Sequence, residues 1–308
     1  MGNINTVGTT NATIIAQRAL EQLVAMLPFL RNIATDLSGE NAKFGETIIV
    51  HEVAAAEAIN FDPAVGYVPA ARTQVDIPCT LNQHVHHTYE VSVQEASSSR
   101  VDLIERFSRT GAYAVGSKLV STLLALCTEA NFSNKTVKAL GSGQDGFDWK
   151  TLQLIALALD NRDVPPMGRF MLLNPAYYAS LCMDKAMLTI LLSEGASSVK
   201  SGILPEVNGF SVNKFSRIPG NNESLVGIAG ISTALALATR IPDDPGQGSS
   251  NCSITVATEP QTGLSIQVRE WYEPTPAKFR RSYTLMFGVG KGQTDCLQRI
   301  VSQAGAAQ

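Results

Sequence analysis

The chain has 308 residues, of which 44% are hydrophobic and 17% charged, and its formal net charge is −3 at pH 7. This length and composition predict a globular protein of one large or two ordinary domains and argue against a general nucleic-acid-binding protein. The five cysteines are scattered without a C-x-x-C pair, and no secretory or membrane-spanning segment is found. The sequence therefore predicts reduced thiols, no disulfide or zinc framework, and an intracellular protein without a membrane partner.

The first elements are a helix, two strands and a long segment between the strands. The helix is predicted to begin after a cap at Asn11 or Thr13 and to end at Pro28. Strands are predicted at residues 47–50 and, as the return strand, at 85–93. Residues 54–78 between them have little core-forming pattern and are too long for a hairpin turn. We expect this segment to project, so that a chain lacking residues 55–78 still folds.

A long amphipathic helix is predicted at residues 101–131. Ser99 to Asp102 have the form of a capping box, and apolar residues then recur every three or four positions over about 30 residues, or roughly 45 Å. Gly111 and Gly116 weaken such a helix by about 1 kcal/mol each relative to alanine. They are candidate points of bending.

The second half of the chain predicts a mixed α/β arrangement without internal repeats. Helices are predicted at 149–161, capped by Asp148, at 177–183 after the Asn174–Pro175 cap, and at the alanine-rich residues 233–238. Strands are predicted at 170–173, 210–215, 225–229, 253–257, 264–271 and 281–289.

Gly141, Gly143 and Gly146 form a G-x-G-x-x-G pattern that is open to two interpretations. It could belong to a dinucleotide-dependent oxidoreductase, or it could be a linker. The carboxylates of Asp145 and Asp148 would repel a pyrophosphate at the following helix, so the linker is favoured.

No other motif indicates catalysis, and no enzyme activity, metal or cofactor is predicted. Residues 288–292 resemble a phosphate loop but lack its serine or threonine, and are interpreted as a turn that ends a strand. His84, His86 and His87 lie on one predicted strand, where solvated or interface histidines are favoured over a metal site. The basic group of Lys278, Arg280 and Arg281 is interpreted as a solvated face.

In the order of its elements the chain resembles the major capsid proteins of tailed bacteriophages with the Hong Kong ninety-seven type fold, especially the podovirus coat-like branch. The segments that carry the resemblance are Asp36-Leu37-Ser38, Gly45-Glu46-Thr47, Leu81-Asn82-Gln83, Val164-Pro165, Asn174-Pro175, Gly209-Phe210, Ile218-Pro219, residues 230–240, Val268-Arg269-Glu270-Trp271 and Phe287-Gly288-Val289. The resemblance implies an α+β capsid fold with an N-terminal arm, an extended β-hairpin loop, a long spine helix and a mixed α/β axial domain.

The implied domains are an arm at 1–44, an extended loop at 45–96, a peripheral domain at 97–147 and 273–308, and an axial domain at 148–272. Candidate assembly contacts on the loop are Phe61, Tyr67, Val68 and Arg72. Because residues 45–96 contain no lysine, the lysine crosslinks of some family members are not expected.

The implied function is a coat protein that assembles through pentamers and hexamers into an icosahedral shell around double-stranded DNA. The implied partners are other copies of the chain, a separate scaffolding protein, a portal, a cement protein in some shells, and packaged DNA in weak contact. The shell would be the virion capsid, assembled in the host bacterial cytoplasm. An encapsulin-like compartment of the same fold remains the alternative.

Overall fold

The computed structural model describes residues 28–35, 43–53, 58, 60, 61, 63–67, 74–98, 103–140, 146–193, 204, 206–242, 252–258, 264–275 and 277–302. The predicted first helix lies outside these residues. No helix in the described part is long and apolar enough to cross a bilayer.

The described residues form an α+β fold. The strands are β1 (Ala34–Thr35), β2 (Thr47–Val53), β3 (Gln74–Thr80), β4 (Gln83–Ser92), β5 (Lys135–Val137), β6 (Arg169–Leu173), β7 (Phe210–Lys214), β8 (Leu225–Gly230), β9 (Leu235–Arg240), β10 (Cys252–Thr258), β11 (Ser265–Glu273), β12 (Lys278–Lys291) and β13 (Leu297–Val301). The helices are α1 (Val93–Ser98), α2 (Leu103–Leu124), α3 (Trp149–Asp160), α4 (Pro175–Met183) and α5 (Lys185–Ser193), with short 3-10 turns at Pro28–Asn32, Ser232–Ala234 and Thr294–Cys296.

Three sheets organise these strands. The central sheet has the order β1-β9-β12-β11-β10, and β4 also pairs with β12. A second sheet has the order β5-β13-β8-β6-β7, and β2 and β3 form a two-stranded sheet. β11 and β12 form an antiparallel pair across the predicted domain boundary between residues 272 and 273.

The helix predicted at residues 233–238 is wrong. Only a 3-10 turn forms at Ser232–Ala234, and the following residues form β9, in which every residue is buried. β9 pairs with both β1 and β12, so tertiary hydrogen bonding and burial outweigh the helix propensity of its alanines.

The long helix exists, but it ends at Leu124 instead of residue 131. We call α2 the spine helix from here on. Its buried side chains include Ala112, Val115, Leu119 and Leu123, which confirms the predicted apolar stripe over the helix's second half. The helix packs on β4 and β12, the strand that contains predicted strand 281–289. The predicted capping box, Ser99 to Asp102, lies outside the described residues.

Candidate assembly surfaces

β2 and β3 form a hairpin in place of the predicted one. They pair in antiparallel register from Thr47 opposite Thr80 to Val53 opposite Gln74. The predicted return strand, now β4, instead pairs with β12 in the central sheet. The expectation that all of residues 55–78 project is therefore wrong, because residues 74–78 belong to β3, whose Ile77 is 1% exposed.

Two glycines of β12 provide the seat for this hairpin. A Cβ on Gly288 would lie 2.5 Å from the carbonyl oxygen of Thr80, and one on Gly290 would lie 2.6 Å from the Sγ of Cys79. Only residues without a side chain allow β3 to approach β12 this closely. The strand end predicted within residues 288–292 lies at Lys291, so Gly288 and Gly290 belong to a 14-residue strand and not to the turn.

The hairpin base has a small core of its own. Residues at or next to the hairpin strands pack there against residues of β9 and β12. The members are Val50, Ile77, Cys79, Leu81, Ala236, Ala238 and Met286. The base of the hairpin is therefore fixed on one face of the central sheet.

Two of the predicted contact residues lie beyond the base and are exposed. Phe61 is 58% exposed and Tyr67 is 94% exposed. Their ring centroids are 4.9 Å apart with the planes tilted by 45°. The other two predicted contacts, Val68 and Arg72, lie outside the described residues. An aromatic pair that is packed on itself and otherwise exposed is typical of a contact surface.

Gly111 of the spine helix is a point of close packing. A Cβ there would lie 2.9 Å from Cδ2 of His87 on β4 and 3.0 Å from Cδ2 of Tyr283 on β12. Gly116 is also buried. Gly111 therefore lets the helix approach the sheet, whereas bending of the helix at Gly111 and Gly116 remains a prediction.

A polar segment at residues 217–224, which we call the strap, holds the C-terminal half of the spine helix. Arg217 donates to the Ser117 hydroxyl at 3.0 Å. The Asn221 amide donates to the carbonyl oxygens of Leu124 at 2.9 Å and Cys127 at 3.1 Å. The strap therefore binds the carbonyl oxygen of the last helical residue and a carbonyl oxygen in the turn that follows the helix.

The strap is attached to the second sheet through a buried ion pair. Arg299 on β13 is 0% exposed, and it pairs with Glu223 of the strap. Its Nε donates to the carbonyl oxygen of Phe132 at 2.5 Å. A second oxygen of Glu223 accepts from the amide of Glu129 at 2.7 Å, just past the spine helix. Spine helix, strap and second sheet are thus connected by charge-assisted hydrogen bonds.

The basic group predicted as a solvated face is instead largely paired with carboxylates. Lys278 and Arg280 both pair with Glu90, and Arg280 also pairs with Glu273 at 2.6 Å. Arg281 is 3% exposed and pairs with Glu270 at 2.5 Å. These cations are neutralised within the chain, which disfavours a strong DNA-binding patch at this position.

The predicted histidine strand is confirmed, and its alternation separates His84 and His86 from His87. His84 and His86 are exposed on β4, whereas His87 is half-buried against the spine helix. Burial, and then the nearby His86 and Arg269, lower the pKa of His84. The fourth histidine, His51, lies on β2, which does not pair with β4. Among the described residues, no three potential metal ligands are grouped together.

The helix that follows the glycine pattern has an acidic N-terminus. Asp148 accepts from the amide of Thr151 at 2.9 Å, and Asp184 accepts from the amide of Trp149 at 3.0 Å. A cavity of about 580 Å³ opens beside these two carboxylates. Gly141 and Gly143 lie outside the described residues, and a Cβ on Gly146 would lie 2.4 Å from the Ser180 hydroxyl. Helix amides already occupied by carboxylates are not suited to a pyrophosphate.

Sequence reasoning missed an exposed apolar ridge on α3 and the turn after it. Leu154 is 54% exposed, Leu157 is 52% exposed and Met167 is 84% exposed. The turn is held by the buried Arg169, which donates to the carbonyl oxygens of Val164 and Pro165 at 2.5 and 2.9 Å. The helical period could have predicted this ridge, because Leu154 and Leu157 lie outside the helical face that the buried apolar residues form.

No family model and no curated protein sequence matches the chain. Solved structures do match its fold. A protein of Mycobacterium phage Che8 is 16% identical, with 83% of this chain and 84% of that chain covered at a TM-score of 0.53. The capsid protein of cyanophage P-SCSP1u is 13% identical, with 87% of each chain covered at a TM-score of 0.53.

The chain has the Hong Kong ninety-seven type capsid fold. A virus-like particle from Pyrococcus furiosus has the same kind of match, at 13% identity, with 93% of this chain and 97% of that chain covered at a TM-score of 0.51. In terms of the capsid fold, the β2–β3 hairpin corresponds in chain order to the expected extended loop and α2 to the expected spine helix.

Proposed function

We propose that this chain is the major capsid protein of a tailed bacteriophage. It is a structural, non-catalytic subunit that assembles through pentamers and hexamers into an icosahedral shell around double-stranded DNA. The main support is the likeness to capsid subunits across most of the chain, including the capsid of cyanophage P-SCSP1u. Assembly in the host cytoplasm, with a scaffolding protein and a portal as partners, follows from this proposal.

The division of labour within the subunit is also a proposal. Residues 97–147 and 273–308 form the peripheral domain, 148–272 the axial domain, and the hairpin and the residues beyond it contact a neighbouring subunit. Each contact of this kind joins two different surfaces, and such contacts form rings when the rotation between subunits closes. The exposed aromatic pair, Phe61 and Tyr67, supports this role for the hairpin.

The hairpin offers a sharp test of the proposal. Because Val53 lies opposite Gln74, a two-residue Asn-Gly turn can replace residues 54–73 without changing the register of β2 and β3. We expect this variant to unfold cooperatively, like the unmodified subunit, and to form no shells under electron microscopy. Shells of normal size from the shortened chain would contradict the proposal that these residues join subunits.

A milder variant distinguishes an effect on subunit contacts from an effect on folding. Phe61→Ser with Tyr67→Ser removes the exposed aromatic pair and should abolish or slow particle formation while leaving the free energy of unfolding unchanged. The matched control is Tyr272→Ser, which removes another exposed aromatic ring, 47% exposed, from a strand inside the central sheet. Equal assembly by both variants would contradict the assignment.

A second function, an encapsulin-like compartment shell, is supported by the match to the Pyrococcus furiosus virus-like particle. The two functions differ in what the shell contains. Nuclease-resistant DNA in particles purified from the native source supports the phage capsid, whereas a single packaged protein without DNA supports the compartment.

A further inference from the structure

β10 is an outermost strand of the central sheet. All seven of its residues pair with β11, from Cys252 opposite Trp271 to Thr258 opposite Ser265. In the part of the chain that the structure describes, no strand pairs with its other side. The backbone N–H and C=O groups on that side are a template for a further strand.

The sequence of this edge lacks the usual protection. Residues Cys252–Thr258, reading CSITVAT, contain no charged residue, no proline and no glycine. β4 is another outermost strand, which pairs only with β12 among the described strands, and it carries Glu90 and the exposed His84 and His86. Soluble proteins commonly block an exposed edge with charges or proline, so the unprotected β10 edge is suited to accept a partner.

The edge also offers side-chain contacts on one face. Ile254 and Val256 lie two residues apart and therefore point to the same face, where Val256 is 37% exposed. An added strand would pack its own apolar residues against these two. In strand addition the backbone supplies affinity and such alternating side chains supply specificity.

The hairpin strand β2 fits this edge. It is also seven residues long, it pairs only with β3 among the described strands, and its Ile49 is 47% exposed. Its own His51 and Glu52 would meet no like charge, because β10 is uncharged. Within one chain this pairing is blocked, since the base of the hairpin lies on the face of the central sheet against Ala236 and Met286.

We propose that the free side of β10 binds, as an added β-strand, the β2 strand of a second copy of this chain. The inference rests on the proposed shell function, which supplies the second copy. It identifies a heterologous contact in which one subunit gives a strand and the next receives it, as ring closure requires.

Hydrogen exchange on the full chain tests the proposal directly. In free subunits, the amides of β10 that point away from β11 should exchange fast, and in assembled particles they should exchange at least about tenfold more slowly. Amides bonded to β11 are protected in both states and serve as the internal control. Equal exchange of the outward amides in subunits and particles overturns the strand addition alone, whereas a chain that never forms particles overturns the shell function as well.

A disulfide test identifies the added strand. One population carries Ile49→Cys and the other carries Ile254→Cys, Val256→Cys or Thr258→Cys, all in a Cys182→Ser, Cys252→Ser background. The two populations are mixed, assembled into particles and then oxidised. Disulfide-linked dimers should form with the β10 variant whose cysteine faces position 49 of the neighbouring subunit. No dimer from any of the three pairs in intact particles would overturn the assignment of β2.

A lysine variant tests the edge without cysteine chemistry. Val256→Lys should leave subunit unfolding unchanged and reduce assembly at least about tenfold, because a charge on an edge opposes strand addition. The matched control, Tyr272→Lys, adds the same charge to β11, which lies between β10 and β12 in the sheet, and should assemble normally. Equal assembly by both variants would count against the proposal.

Discussion

A Cβ on Gly290 would lie 2.6 Å from the Sγ of Cys79, so the hairpin and the central sheet approach each other only because position 290 has no side chain. The same strand repeats the arrangement at Gly288 beneath Thr80. The seat of the hairpin is therefore encoded by Gly288 and Gly290, more than 200 residues downstream of the hairpin strands.

Gly290→Ala should destabilise the subunit by about 1–3 kcal/mol, because an added methyl group must displace Cys79 and Ile77 in a packed core. Urea unfolding measures the loss, and faster hydrogen exchange in β3 should locate it at the hairpin. Gly220→Ala is the matched control, since a Cβ there has no neighbour within 4 Å. Equal unfolding midpoints for the two variants would show that the hairpin does not depend on the glycine.

Gly111→Ala should also destabilise the subunit, although alanine favours a helix over glycine by about 1 kcal/mol. The gain is outweighed because the new Cβ would lie 2.9 Å from the His87 ring. A double-mutant cycle with His87→Ala measures the steric repulsion between the new methyl group and the His87 ring. The double variant should recover part of the lost free energy of unfolding. A stabilised Gly111→Ala single variant would indicate that the glycine serves bending and not packing.

Glu223→Ala should cost about 3–5 kcal/mol, because it leaves the charge of Arg299 buried without its partner. Glu129→Ala removes an exposed carboxylate that pairs with Lys135 at 2.8 Å and should cost no more than about 1 kcal/mol. Chemical denaturation compares the two variants. Similar losses would mean that the strap is not held by its ion pair.

Stability should fall in alkaline solution through Cys127. Burial raises the pKa of its thiol to about 12. The unfolded chain loses this proton near the ordinary value of about 8.5, whereas the folded chain keeps it. The unfolded state therefore binds fewer protons between about 8.5 and about 12, and stability decreases as pH rises through that window. Cys127→Ala should flatten this part of the stability profile relative to the parent chain, and parallel profiles would contradict the assignment.

Local patterns in the sequence predicted much of the secondary structure. Asp148 before α3 and Asn174–Pro175 before α4 act as the predicted caps, and most strands of the second half lie at the predicted positions. The exposure of Phe61 and Tyr67 was also predicted, because apolar residues in a segment without core pattern have no core to join; their role as subunit contacts stays a prediction. These features depend on neighbouring residues, which a single sequence displays directly.

Contacts between distant residues were decided only by the tertiary structure. Residues 235–240 have alanines that favour a helix, yet they become β9 because β1 and β12 offer hydrogen bonds on both sides. β3 was read as part of a projecting loop, because the glycines that receive it lie far away in β12. At the end of the spine helix the Leu124 carbonyl oxygen accepts from Asn221, 97 residues downstream, and no local signal marks that partner.

The long apolar stripe, the caps and the projecting aromatic residues were thus determined by the sequence alone. Strand partners, the glycine seat and the strap were not, because the free energy that selects them comes from burial and hydrogen bonding between segments that meet only in the folded chain.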